Sequence, residues 1–176
     1  MHEKIKQLQQ GKIWGAFNIA IRFLLIFCSI ASVVLIFSAV IARYVFHRDI
    51  YGIEEIILTI AFWLYFAGSV SGSMEDSHIK ADILDVYVSN HRVKYLLKAV
   101  AKLVEVIVYI VFSKWAINLF MLNLQRMPRT TGLKIPLVAA QVPIAAGFVL
   151  MTLFAFYYGL LYLTQVKQEK PLKGEG

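Results

Sequence analysis

One cysteine, Cys28, stands in 176 residues, so no disulfide can close within the chain and a secreted disulfide scaffold is excluded. Charge is scarce as well, at 16% of residues against about 25% in soluble domains. Histidine occurs four times, as His2, His47, His78 and His91. Each lies in a flank or connection of the apolar runs described below, which argues against a haem held inside a bundle by axial histidines. The chain has no phosphate-cradling P-loop, nucleophile elbow or H-E-x-x-H helix, and so none of those marks of nucleotide, acyl-transfer or zinc-hydrolase chemistry. What it does have is apolar surface: 59% hydrophobic residues, 14% aromatics and a mean hydropathy of +0.66. At about 20 apolar residues per crossing, the length suffices for four transmembrane helices and their connections, with no room for a separate soluble catalytic domain. A cytosolic enzyme and a nucleic-acid module are excluded. The formal charge of +7 reads instead as a topology signal and an attraction to anionic lipid.

The uncharged runs place the crossings. Phe23 to Ala42 holds 20 residues, longer than the roughly 7–15 of a signal peptide's apolar stretch. Ile56 to Met74 holds 19. Ile135 to Val166 holds 32, which leaves Pro136 and Pro143 room in the first turns. A third crossing is expected near residues 101–123 although Lys102, Glu105 and Lys114 fall in it. The predicted fold is an all-α integral membrane protein forming a single membrane domain over 1–176. It comprises an N-terminal segment (1–21), spans at 22–44, 55–74, 101–123 and 135–166, an amphipathic arm (77–100) between spans two and three, and a tail (167–176). The N-terminal segment, the middle connection and the tail, with Arg22 and Lys102 at the span mouths, carry 12 Lys and Arg, against five in the other two connections with Arg43, so both termini are expected in the cytoplasm. Cys28 is expected to be a small packing residue.

Between spans two and three, His78, Asp82 and Asp85 share one face of a helix whose other positions are largely apolar, the pattern of a helix lying in the interface. From His91 a second polar stripe runs through Lys94, Lys98, Lys102 and Glu105, opposite Leu96, Leu97, Val100, Leu103 and Val104. We expect Lys94, Lys98 and Lys102 to face anionic lipid, or the arm to brace a partner subunit. In span two, Gly68 and Gly72 form a G-x-x-x-G at helical spacing, a pattern that lets helices approach closely in lipid. Glu54 and Glu55 open that span and Arg43 closes the first, each matching a helix dipole, and Trp63 lies too deep for an interfacial anchor. Lys114 sits near the centre of the third span, nine residues from Glu105 and therefore on the opposite face. A lysine facing lipid at that depth costs about 2.5–3.5 kcal/mol, so we expect it to contact a polar group outside this chain. No residue set points to a catalytic centre, a metal site or a cofactor.

Taken together, Arg43-Tyr44-Val45-Phe46, Glu54-Glu55, Trp63 with Gly68, and His78-Ile79-x-x-Asp82 resemble the small membrane subunit (Q-type) of tripartite ATP-independent periplasmic (TRAP) transporters. Thr130-Thr131-Gly132-Leu133-Lys134-Ile135-Pro136, followed by Pro143 and Gly147, is similar to that family's approach to its last span. The resemblance covers about Arg22 to Tyr162 and departs at Leu137-Val138-Ala139, where the family often has an aromatic residue. It implies a non-catalytic scaffold in the bacterial inner membrane, bound to a large polytopic subunit that carries substrate and sodium. A periplasmic binding protein delivers an organic acid of the four-carbon dicarboxylate or sialic acid type. Arg126 and Arg129, in a basic connection without acids, are then candidates for docking the binding protein. Two readings from other classes remain open at this point: the membrane anchor of a respiratory oxidoreductase, and a stand-alone small exporter or channel.

Overall fold

The computed structural model describes residues 12–75 and 91–168. Four helices occupy nearly all of them: α1 (Lys12–Tyr44), α2 (Ile53–Met74), α3 (His91–Arg126) and α4 (Val138–Gln168). Three of these, α1, α2 and α4, are long and apolar enough to cross a membrane. α3, which carries Lys102, Glu105 and Lys114 in its interior, is not among them, although at 36 residues it is the longest. The expected interfacial helix, with His78 and Asp82, falls outside the described residues. The second half of the arm, residues 91–100, is the start of α3 itself.

The helix ends follow local chemistry. α1 stops with Arg43 in its last turn, and the chain leaves through a left-handed residue, His47 (φ 52°). Arg48 N–H returns there to the Ala42 carbonyl at 3.0 Å, so a terminal carbonyl is satisfied. α2 begins after Gly52 (φ 75°) with Glu54 and Glu55 in its first turn, where the helix dipole favours anions. α4 contains Pro143 in its second turn. A proline has no N–H to give the carbonyl four residues back, which leaves the Ala139 carbonyl open. The Trp63 indole N–H of α2 donates to that oxygen at 3.1 Å. The tryptophan therefore completes the backbone of a neighbouring helix at the point where its proline interrupts it.

α4 lies between α2 and α3, and α1 packs along the outer flank of α2. The result is a row, α1–α2–α4–α3, with its two connections of residues 45–52 and 127–137 at one end, here called the loop end. The buried core, Ile21, Val70, Met74 and Met151 with Phe66, Phe148 and Phe154 around it, sits toward the far end. There the first turns of α1 reach α4 through Trp14, whose ring meets Phe154 edge-on at 5.4 Å. Cys28 is buried, as expected. At Gly68 the approach of a second helix leaves room for a side chain. A Cβ on Gly68 would meet Leu25 at an ordinary 3.8 Å, whereas a Cβ on Gly147 of α4 would stand 2.7 Å from the ring of Phe66.

At Lys102, α3 departs from the expectation of a lipid-facing basic stripe. Lys102 and Glu105 are 4% and 8% exposed, and their side chains pair at 2.8 Å. The ammonium also lies 5.8 Å from the centre of the Tyr158 ring. Lys98 is half-buried on the same side, Lys94 lies one turn earlier on the helix, and Leu96, Val100, Leu103 and Val104 are the exposed residues. At Lys102 the stripe faces α4. In a hydrocarbon solvent the polar side of a helix is the side that gains from burial against a partner. The Tyr158 hydroxyl extends this cluster, donating to the Met74 carbonyl at 2.6 Å and so satisfying an acceptor at the end of α2.

Candidate functional site

The two connections at the loop end are joined by one carboxylate. After α3, Met127 (φ 44°) turns the chain. Residues 128–137 then fold back on themselves through an antiparallel bridge, Arg129 to Pro136, with Thr130 N–H donating to the Ile135 carbonyl at 2.9 Å and Leu137 N–H to the Pro128 carbonyl at 3.0 Å. Glu55, in the first turn of α2, reaches into this hairpin. Its Oε2 accepts from the Thr130 hydroxyl at 2.5 Å and from Leu133 N–H at 2.8 Å, and its Oε1 accepts from Gly132 N–H at 2.7 Å. All three partners are donors, an arrangement that suits an ionised carboxylate. The Thr130 hydroxyl in turn accepts from Ile135 N–H at 3.0 Å, so one side chain closes the hairpin and binds it to α2.

Two glycines make room for this clasp. A Cβ on Gly132 would stand 2.9 Å from Glu55 Oε1. At Gly52 the positive φ already disfavours any side chain, and a Cβ there would overlap the Leu133 side chain. Beside the clasp, Arg43 Nε donates to Asp49 Oδ1 at 2.8 Å, and its other end lies 3.7 Å from Glu54. Both links are solvent-exposed and add little stability. A crevice of about 600 Å³ opens between α1 and the hairpin, lined by Arg43, Asp49, Glu54, Glu55 and Gly132 among others. Arg126 and Arg129 are exposed on the same end.

The sequence candidates thus divide. Arg43, Glu54, Glu55, Arg126, Arg129 and Pro136 gather at the loop end, with Tyr44 exposed beside them. Trp63 and Gly68 lie in the helix contacts already described, and Gly72 is half-buried near the end of α2. Lys114 is exposed on α3. His78 and Asp82 are outside the described residues. Among the described residues, no three His, Cys, Asp or Glu side chains gather as a metal site would require.

The model of one family, the DctQ component of the tripartite ATP-independent periplasmic transporters, matches residues 32–163. The chain belongs to this family. Comparison with curated proteins and with solved structures gave no match. A DctQ component is a membrane protein that works with the other parts of a TRAP transporter, a large membrane subunit and a binding protein. The matched span includes the clasp, the Trp63–Ala139 bond and the buried Lys102–Glu105 pair. Reading the sequence picked out Glu55 and the segment from Thr130 to Pro136 separately. Their meeting went unread, although both stand at the mouths of apolar runs on the same predicted side of the membrane.

Proposed function

We propose that this DctQ component is the non-catalytic scaffold of a sodium-driven importer of an organic acid, of the four-carbon dicarboxylate or sialic acid type. In this reading the large subunit carries solute and sodium, and the loop end receives the periplasmic binding protein. The observation that carries the proposal is the open row of helices. Only 6% of the most apolar stretch of α1 is buried, and the buried charges of α3 are spent on each other. A chain that moved a charged solute by itself would need a polar path enclosed by its own helices, whereas a row with a bare apolar flank offers a surface to a neighbour.

In the same proposal all four helices cross the inner membrane, with both termini cytoplasmic and the loop end periplasmic. α3 lies beside the spanning α4 from Ala99 and Tyr162 to Phe112 and Phe148, so the two share one depth. The 12-to-five distribution of Lys and Arg supports the orientation. Purification from native membranes should bring down a large polytopic partner, and sodium-gradient uptake should require that partner and a binding protein. Uptake into liposomes by this chain alone would refute the scaffold role, and reporter fusions placing the tail outside the cell would refute the topology.

A further inference from the structure

Between α3 and α4 a groove of about 410 Å³ opens outward, lined by Ile110, Ser113, Lys114, Asn118, Thr152 and Leu153 among others. Its depth can be read across the row. Phe112 stacks on Phe148 with ring centres 5.4 Å apart, and Phe148 meets Phe66 of α2 at 5.4 Å, so these three side chains mark one level. Lys114 lies two residues nearer the loop end than Phe112. On α2 that level is about 15 Å from Met74 and about 16 Å from Ile53, at 1.5 Å per residue. Lys114 therefore lies level with the middle of α2, a helix long and apolar enough to cross a membrane, deeper than a lysine stem of several ångströms can undo. The floor of the groove offers it no anion. Thr152 Oγ1 donates to the Phe148 carbonyl at 2.7 Å, the Ser113 hydroxyl lies 3.1 Å from Thr152 Oγ1, and no hydrogen bond or ion pair reaches Lys114 from the described residues.

We infer that this groove is the seat of a transmembrane helix of the large subunit, and that this helix places an Asp or Glu carboxylate against Lys114. The inference rests on the scaffold reading above. Asn118 stands one turn further along α3 and supplies amide donors to the same carboxylate, while Ile110 and Leu153 provide apolar lips. A lipid phosphate does not fit, because at half the thickness of a hydrocarbon core about 30 Å across headgroups are roughly 15 Å away. A second copy of this chain would bring another Lys114, or another apolar flank, to the groove.

The test uses the native complex, with a photo-crosslinking amino acid in place of Leu153 and mass spectrometry of the adduct. We expect an adduct on the large subunit within a helical turn of an Asp or Glu. Lys114→Met should weaken association about ten- to a hundredfold, the range for losing a hydrogen bond to a charged group. Lys114→Glu should be worse, and should recover when the crosslinked acid is changed to Lys. Adducts on lipid, on a second copy or on an acid-free segment would overturn the inference, as would an unchanged yield of the Lys114→Met complex. If the unaltered chain purified without a large partner, the scaffold reading would fall and this inference with it. An intact complex with the wrong adduct would remove the groove alone.

Discussion

At the residue scale, Glu54 and Glu55 separate two roles that adjacent identical side chains usually blur. Glu54 is exposed and faces Arg43 at 3.7 Å, whereas Glu55 accepts three hydrogen bonds from a hairpin more than seventy residues away in sequence. Replacing Glu55 by Gln presents an amide NH₂ to donors that need an acceptor. Glu55→Gln should therefore lower the melting temperature and speed hydrogen exchange at the Gly132 and Leu133 amides, while Glu54→Gln should leave both unchanged. Equal effects of the two substitutions would show that the clasp does not organise the loop end. The sequence announced both acids through the helix dipole, a local effect. It could not separate them, because the difference lies in a hairpin folded back from the far side of α3.

At the element scale, α3 shows why a polar stripe does not declare its direction. The spacing of Lys98, Lys102 and Glu105 is the same whether the stripe meets headgroups or a neighbouring helix, and only Tyr158 and the α4 backbone decide. Each single change, Lys102→Met or Glu105→Leu, breaks the buried pair from one side and should cost about 3–5 kcal/mol, whereas the double change to Met and Leu should be close to neutral. Thermal melting of the four variants would check the cycle. The glycines carry the parallel lesson. Gly147→Ala forces a methyl group into Phe66 and should cost about 1–3 kcal/mol, while Gly68→Ala should stay within about 0.5 kcal/mol. The G-x-x-x-G spacing is visible in one helix alone, but how near a second helix comes depends on the side chain it brings. The last turn of α1 and the extents of α2 and α4 were legible because charge punctuates apolar runs, whereas α1 runs back through Arg22 to Lys12. The Trp63 bond to Ala139 was not, since it needs the register of two helices set against a proline.

At the scale of the whole molecule, the loop end combines an acidic crevice with exposed Arg126 and Arg129. In its proposed role as the receiving face for a binding protein, it should respond to charge. Reversing both arginines to Glu should depress uptake by the complete transporter most at low ionic strength, where screening is weakest, and an unchanged rate there would remove these residues from docking. The row also fixes an order in time. α4 touches both α2 and α3, yet it follows them in the chain, so α1 and α2 can pair as soon as they are made while α3 emerges with its buried-to-be charges uncovered. A nascent chain halted before Val138 would already hold the hairpin that Glu55 clasps, but would hold Lys102 and Glu105 without the helix that shelters them. The row is therefore complete only once its central helix has been made, and until then the polar surface that the finished chain conceals lies uncovered.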